Sequence, residues 1–285
     1  MLLREVEAKT DQSMINIYDK EQRLKEWFGK HTRVVVALSG GVDSCLVAFA
    51  ARKFLGKENL IAVISNSASL KERDLKDAEK FCSDYDINLE IVDAREIDDP
   101  NYASNPIDRC FFCKSALYTE LNSLIETKYP DYVMLNGNNF SDLGDYRPGL
   151  KAASEFHAYS PLAECEFNKD DIRELSQHFN LFVWDKPASP CLSSRFPYGE
   201  SITVEKLKMV EDAEEVLYDY GFHNTRVRHL GETARIEVPS DQLNTLENVF
   251  EEIRTKILAI GFSFCEIDRE GFISGKLNRA LKHEQ

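Results

Sequence analysis

The chain has 285 residues, of which 43% are hydrophobic and 29% charged, a composition typical of a soluble globular protein long enough for two domains. Its net charge of −14 argues against nucleic-acid binding, which needs a basic face. The longest apolar runs, such as 34–38, are too short to span a bilayer, and the first residues lack an apolar signal region. We therefore expect a cytoplasmic protein that binds neither nucleic acid nor membranes.

The first two thirds of the chain alternate short apolar segments with amphipathic ones. A polar helix is expected within an N-terminal segment, 1–31. Strands are predicted at 33–38, 60–64, 88–92, 131–135 and 181–184, with helices at about 42–55, 71–85 and 111–128. This alternation is typical of a parallel sheet covered by helices, whose ligands bind beyond the carboxyl ends of the strands. The fold class predicted for 32–195 is therefore α/β.

The last third of the chain has a different pattern. Proline-rich and glycine-containing loops occupy about 185–200. Beyond them, helices are predicted at about 203–220 and 240–260, and strands at 225–230, 234–238 and 263–268. This order predicts a smaller C-terminal α+β domain over 196–285.

A glycine-rich loop follows the first predicted strand, with the sequence Ser39-Gly40-Gly41-Val42-Asp43-Ser44. The glycines allow a sharp turn and a close approach of backbone N–H groups to an anion. The hydroxyls of Ser39 and Ser44 add donors, and Asp43 fits a Mg²⁺ shared with phosphates. The segment matches the PP-loop of ATP pyrophosphatases, which split ATP into AMP and pyrophosphate. The alternative is a turn that only connects two elements.

Two further polar segments follow predicted strands, which places them at the same edge of the sheet. The candidates for nucleotide contacts are Ser65, Asn66 and Ser67 after the second strand, and Gly137 and Arg147 within 136–149. The small polar groups of the first segment are candidates for the adenine. Arg147 could hold a phosphate or a carboxylate with two hydrogen bonds. A turn-rich loop satisfied by its own side chains is the alternative for 136–149.

The seven cysteines of this chain favour metal binding or thiol chemistry over disulfides in an intracellular protein. Cys110 and Cys113 form a Cys-x-x-Cys motif, which could be half a zinc site, a redox pair or a pair of cluster ligands. With Cys191 they offer three thiolates, which suits a 4Fe–4S cluster with one open iron. The alternatives are helix-start residues and an ordinary loop thiol. The others are expected to be small buried hydrophobes: Cys45, Cys82, Cys165 and Cys265.

Several motifs together resemble the LarE family of PP-loop (adenine nucleotide alpha hydrolase-like) enzymes. The segments that carry the resemblance are 39–44, 110–114, 144–150, 186–199 and 225–228. The resemblance implies an ATP-dependent sulfur transferase that adenylates the carboxylates of a pyridinium-3,5-biscarboxylate mononucleotide and converts them to thiocarboxylates. The product serves biosynthesis of the nickel-pincer nucleotide cofactor.

The resemblance also implies roles for particular residues. Members with three cysteines are thought to hold a 4Fe–4S cluster carrying an extra sulfide, which indicates Cys110, Cys113 and Cys191 as ligands and catalytic residues here. Members with a lone cysteine sacrifice its sulfur, so sacrifice of Cys191 is the alternative. Ser194, Arg226 and Arg228 resemble the set that binds the substrate phosphate; the two arginines alternate along one strand and so share a face.

The resemblance also implies cofactors and partners. They are ATP, Mg²⁺, a sulfide or other sulfur donor, and further copies of the chain in a homo-oligomer, with a hexamer as the first expectation.

Three other functions stay open from the sequence. A cluster-dependent PP-loop tRNA thiolase would also use three cysteines, but the chain is acidic. An amide-forming PP-loop synthetase would leave the Cys-x-x-Cys motif without a task. A non-catalytic nucleotide-binding regulator with redox-sensing cysteines would bind ATP without turnover.

Overall fold

The structure is a computed structural model that describes residues 17–144, 148–273 and 276. The contacts within the chain divide it into two compact units. Of the described residues, the first unit contains those up to Ser67, in Glu72–Ala94 and in Cys110–Ser189. The second contains Ala68–Lys71, Arg95–Arg109 and the described residues from Pro190 onward. Three stretches inside the predicted 32–195 domain, Ala68–Lys71, Arg95–Arg109 and 190–195, thus belong to the second unit, because they pack with the C-terminal part of the chain.

The first unit is built on a four-stranded parallel sheet with the order β3-β2-β1-β4. Its strands are β1 Val34–Ala37, β2 Leu60–Ser65, β3 Leu89–Val92 and β4 Val133–Leu135. Every residue of β1 is buried, as expected for a central strand covered on both faces. The α/β class with a parallel sheet, predicted from the sequence, is confirmed.

Helices connect and cover these strands. They are α1 at 17–28, α2 Val42–Leu55, α3 Glu72–Asp84, α5 Arg109–Lys128, α6 Pro148–Glu155, α7 Pro161–Glu164 and α8 Lys169–His178. The short helix α4, Pro100–Ala103, belongs to the second unit. The predicted strand at 181–184 is wrong: this stretch is a turn, in which Trp184 N–H donates to the Leu181 carbonyl at 3.0 Å. Its alternating apolar side chains, Leu181 and Val183, are buried, but no strand among the described residues pairs with this stretch.

The strand order places the candidate site. β1 pairs with β2 on one side and with β4 on the other, all in parallel. The chain therefore leaves β1 in one direction and returns to its other side, which makes the space beyond the carboxyl ends of β1 and β4 a topological switch point. The loops that follow these two strands, 38–41 and 136–139, meet there.

The second unit has a three-stranded sheet with the order β5-β6-β7. Its elements are α9 Val204–Asp219, β5 Arg226–Leu230, β6 Thr233–Glu237, α10 Leu243–Ile260 and β7 Phe264–Ile267. β5 and β6 are antiparallel, and β6 and β7 are parallel. Apolar residues of both helices and of the sheet form one buried core, including Val210, Val227 and Ile253. In the described part of the chain, no helix has the length and apolar character needed to cross a membrane.

Candidate active site

The glycine loop lies between β1 and α2. Gly40 has a positive φ of 71°, and a Cβ there would lie 3.0 Å from the Asp74 carbonyl oxygen, so glycine is required by conformation and by space. The Ser44 hydroxyl donates to the Gly41 carbonyl at 3.1 Å and accepts from the Ser39 N–H at 3.0 Å. These hydrogen bonds hold the loop in a closed turn at the N-terminus of a 14-residue helix, where the helix dipole favours an anion.

The loop after β4 lies directly against this turn. A Cβ on Gly137 would lie 2.8 Å from the Ser44 backbone nitrogen and 2.9 Å from its Cα. Real side chains do not approach a backbone this closely, so only glycine allows the two loops to meet. The sequence predicted Gly137 as a nucleotide-binding residue, and the structure shows its physical reason for being small.

A cavity of about 400 Å³ opens at this point in the first unit. The glycine loop and Gly137 form one side of it. Four basic side chains also line it: Lys114 of α5, Lys169 and Arg173 of α8, and Lys186. Backbone N–H groups at a helix N-terminus together with several cations are the groups that bind a polyphosphate.

Lys186 is held in this cavity by two carboxylates. Its Nζ lies 3.0 Å from Asp74 Oδ1 and 2.7 Å from Asp77 Oδ2. Burial opposes the charge of Lys186, but the hydrogen bond with Asp77 and the charge of Asp74 outweigh it and raise the pKa of the ammonium group. Ser189 donates to Asp74 at 2.8 Å and extends this network. Lys186 therefore stays protonated at neutral pH, and its charge is balanced by these carboxylates.

Two carboxylates face the same cavity and fit a magnesium site. Asp43 and Asp142 both line the cavity. The Asn139 amide donates to Asp43 Oδ2 at 2.8 Å, and Lys169 Nζ lies 3.9 Å from Asp142 Oδ1. Mg²⁺ is commonly bound by one or two carboxylates together with substrate phosphates, so this donor set fits the ion expected from the sequence.

The predicted adenine contacts lie elsewhere along the edge of the sheet. The Ser65 hydroxyl accepts from the Ala94 N–H at 3.1 Å, and the Asn66 N–H donates to the Val92 carbonyl at 2.7 Å. Neither these two residues nor Ser67 belongs to the described lining of the cavity. Their role in adenine binding stays a prediction. Arg147 lies outside the described residues.

The three candidate cysteines lie in both units. Cys110, which is exposed, and Cys113, which is half-buried, are in the first turns of α5 in the first unit. Cys191 is half-buried in the second unit. Over 17–144, 148–273 and residue 276, no group of three or more His, Cys, Asp or Glu side chains is arranged to hold a metal. The 4Fe–4S cluster and its three thiolate ligands stay a prediction.

The remaining cysteines have the character expected of apolar side chains. Three of them, Cys45, Cys82 and Cys165, are buried, and Cys265 is half-buried. Burial raises the pKa of each thiol above its ordinary value, to about 12 for Cys82 and about 11 for Cys265. They are therefore protonated and poor nucleophiles at neutral pH.

The predicted phosphate-binding residues lie together in the second unit. Arg228 is buried; it donates to the Ser194 carbonyl at 2.7 Å and to Glu237 Oε2 at 2.8 Å. Its Nε is a buried donor that has no hydrogen-bond partner among the described residues. A buried donor without an acceptor is costly, so this group is one that an anionic ligand would satisfy.

Arg226 is the second buried guanidinium of β5. It donates to the Thr225 carbonyl at 2.6 Å, and its Cζ lies 4.8 Å from the centre of the Phe272 ring. Burial and the repulsion of the Arg195 guanidinium lower its pKa to about 10, so it stays protonated at neutral pH. Two buried arginines on one strand make this region attractive to an anion.

The buried carboxylate of Glu214 balances part of this positive charge, and it was not predicted from the sequence. Glu214 of α9 accepts from Arg195 Nε at 2.7 Å and Nη2 at 2.9 Å, and Lys71 Nζ lies 2.9 Å away. Burial alone would raise the pKa of the Glu214 carboxyl, but Arg195 and Lys71 outweigh it and lower the pKa to about 2. The only sequence signal was an acidic residue on the apolar side of α9, next to the buried Ala213.

These features define the class of the protein. A strand, a glycine turn and a helix at the switch point of a parallel sheet, with a basic cavity around the turn, are the PP-loop arrangement of enzymes that use ATP. The family model described as NAD synthase matches residues 21–105, which include β1, the glycine turn and α2.

Comparison with known proteins identifies the family. An uncharacterised protein of Synechocystis is 45% identical over 264 residues, covering 92% of this chain and 98% of that protein. The pyridinium-3,5-bisthiocarboxylic acid mononucleotide synthase of Lactiplantibacillus plantarum is 35% identical over 253 residues, covering 89% of this chain and 91% of the synthase. A glutamine-hydrolysing GMP synthase of Carboxydothermus hydrogenoformans is 29% identical over 218 residues, 70% of this chain and 42% of that enzyme. The chain belongs to the LarE family of ATP-dependent sulfur transferases.

Proposed function

We propose that this enzyme converts the carboxylates of a pyridinium-3,5-biscarboxylate mononucleotide into thiocarboxylates, using ATP and releasing AMP and pyrophosphate. The observation that carries the proposal is the cavity at the glycine loop, which offers helix N–H groups and four cations to a polyphosphate. The similarity to the L. plantarum synthase over 91% of its length supports the substrate class.

The first step is adenylation in the first unit. A substrate carboxylate oxygen attacks the α-phosphorus of ATP, the bond to the bridging oxygen breaks, and pyrophosphate leaves with that electron pair. The glycine loop and Lys186 stabilise the charge that develops on pyrophosphate. Asp43 and Asp142 would hold Mg²⁺, which neutralises phosphate charge when it is bound. The resulting acyl-adenylate makes an unreactive carboxylate electrophilic.

The second unit would hold the phosphate of the mononucleotide. Arg226 and Arg228 supply two buried guanidinium groups, and Arg228 Nε is a donor that a phosphate oxygen would satisfy. Ser194 adds a hydroxyl close to them, since its carbonyl already accepts from Arg228 at 2.7 Å. Anchoring the phosphate, which does not react, fixes the position of the carboxylates, which do.

In the last step a sulfur nucleophile attacks the acyl carbon, the bond from that carbon to the phosphate oxygen breaks, and AMP leaves with the electron pair. We propose that the thiols of Cys191, Cys110 and Cys113 bind or supply this sulfur. We assign no step to a 4Fe–4S cluster. The predicted three-thiolate cluster and the sacrifice of Cys191 sulfur remain two ways of supplying the nucleophile.

The first experiment measures AMP formation and product mass. The purified protein is incubated with ATP, Mg²⁺ and the biscarboxylate mononucleotide, with the Asp43→Asn variant alongside. We expect AMP to form only with the mononucleotide, products heavier by the difference between sulfur and oxygen, and a rate at least about tenfold lower in the variant. AMP formation with ammonia and an amide product would identify an amide-forming synthetase and overturn the proposal.

A second measurement separates the sources of sulfur. Iron and acid-labile sulfide are determined after anaerobic purification of the wild type and of Cys191→Ala. About four irons per chain, lost in the variant, would establish Cys191 as a ligand of a 4Fe–4S cluster. Absence of iron, with the mass of one sulfur lost from Cys191 after turnover, would establish sacrifice instead.

Two predictions concern partners. Light scattering of the purified protein tests the homo-oligomer, for which a hexamer is the first expectation. RNA that copurifies with the protein, together with sulfur incorporation into tRNA, would favour a tRNA thiolase over the small-molecule substrate. Because the net charge is −14, we expect neither copurifying RNA nor sulfur incorporation into tRNA.

A further inference from the structure

A single buried carboxylate joins several parts of the second unit. Glu214 Oε1 accepts from Arg195 Nε at 2.7 Å and from the Val227 backbone N–H at 3.1 Å. Its other oxygen accepts from Arg195 Nη2 at 2.9 Å and lies 2.9 Å from Lys71 Nζ. Glu214 is 8% exposed, so these contacts form in an environment where water competes little.

The other side of the Arg195 guanidinium holds the segment around Cys191. Arg195 Nη1 donates to the Pro190 carbonyl at 2.9 Å and to the Cys191 carbonyl at 3.2 Å. These two carbonyls belong to the peptide groups on either side of the Cys191 Cα. Because both are held by one rigid and fully buried guanidinium, the backbone of Cys191 is fixed at φ −56° and ψ 156°. The direction of its Cα–Cβ bond is fixed with it.

The same carboxylate also holds the strand that carries the two arginines. Val227, whose N–H donates to Glu214, lies between Arg226 and Arg228 in β5. Arg228 also connects β5 directly to the segment after Cys191, since its Nη1 donates to the Ser194 carbonyl. Glu214 Oε1 therefore accepts from two groups. One is Arg195, which holds the Cys191 segment, and the other is the Val227 N–H of the strand that carries the arginines.

We propose that Glu214 is a positioning residue that sets the distance between the Cys191 sulfur and the arginine pair of β5. This inference rests on the proposed function, in which the arginines bind the substrate phosphate and sulfur attacks the acyl carbon. A substrate held by its phosphate presents its acyl carbon at a fixed distance, so the sulfur must be held at the matching distance. A small displacement would slow sulfur transfer strongly and would leave adenylation in the first unit unchanged.

The test is the ratio of thiocarboxylate to AMP formed in a single turnover by the full-length protein. In Glu214→Gln, which keeps the shape of the side chain but removes its charge, we expect AMP formation at saturating mononucleotide within about twofold of the wild type. We expect the ratio to fall by about tenfold or more, since the adenylate hydrolyses before sulfur reaches it. Parallel loss of AMP and thiocarboxylate at an unchanged ratio would overturn the proposal.

Two further variants keep the test decisive. Lys71→Met leaves the ion pair of Arg195 with Glu214 in place, so it should fold even if Glu214→Gln does not. Because it removes one of the groups that hold the Glu214 carboxylate, we expect a fall of about threefold in the ratio of thiocarboxylate to AMP. Asp212→Asn is the matched control, because it removes a partly exposed carboxylate of α9 that pairs only at the surface with Lys208. An unchanged ratio in Lys71→Met, or an equal fall in Asp212→Asn, would contradict the proposal. If the wild type forms no AMP with the mononucleotide, the proposed function itself is wrong.

Discussion

The glycine-loop cavity of the first unit and the arginine cluster of the second both attract anions, but different parts of the chain build them. In the first unit, backbone N–H groups at the start of α2 form the site, and glycines allow the loops to meet. In the second unit, buried side chains form it, and their charges are balanced by Glu214 and Glu237. A site made of backbone depends on steric fit, whereas a site made of buried charges depends on their partners.

This comparison predicts that the arginine cluster is the more costly of the two to disturb in stability. Arg228→Met should lower the free energy of unfolding by about 3–5 kcal/mol, because it leaves the Glu237 carboxylate, 2% exposed, without its close guanidinium partner. Urea unfolding followed by circular dichroism measures this change. The control is Arg235→Met, which breaks a half-exposed pair with Glu266 and should cost about 0–1 kcal/mol. Equal losses in the two variants would show that burial does not set the cost.

The glycine loop should instead be sensitive to a single added methyl group. Gly137→Ala places a Cβ 2.8 Å from the Ser44 backbone nitrogen, so the loop after β4 must move away from the glycine loop. We expect the rate of AMP formation to fall by about a hundredfold, since a shift of this size misplaces the phosphates.

The same substitution at Gly144 serves as the control for Gly137→Ala. A Cβ on Gly144 meets no atom of the described residues within 4 Å, so Gly144→Ala should change the rate by less than about twofold. Pyrophosphate release under saturating ATP measures both variants. A normal rate in Gly137→Ala would show that close contact between the two loops is not needed for adenylation.

The smallest expected effect concerns pH. The pKa of Glu214 is lowered from 4.5 to about 2, so the folded state holds this carboxylate ionised where the unfolded state begins to protonate it. Its contribution to stability is present above about pH 4.5 and is lost as pH falls towards 2. The full contribution is on the order of 3 kcal/mol.

The pH effect is measured as a difference between two proteins. The unfolding free energy of the wild type minus that of Glu214→Gln should shrink by about 1–2 kcal/mol between pH 5 and pH 3. Glutamine does not titrate, so the variant removes only the contribution of this group. A constant difference over this range would mean that Glu214 is not held ionised by Arg195 and Lys71.

The elements of the first unit could be predicted because their signals are local. β1 is a short run of buried β-branched residues, and the glycine turn and α2 follow it directly in sequence. The predicted strand at 181–184 failed because apolar alternation alone does not provide a neighbouring strand to pair with. The cavity wall was not predicted either, since its cations come from α5, α8 and the segment at Lys186.

The sequence by itself determined the parallel α/β class, the glycine loop between β1 and α2, and the membership of the LarE family. These depend on backbone preferences and on motifs within a few residues of each other. Only the tertiary structure showed that Glu214 lies between Arg195, Lys71 and the N–H of Val227. Pairing of buried charges depends on which distant segments exclude water together, and spacing along the chain does not record this.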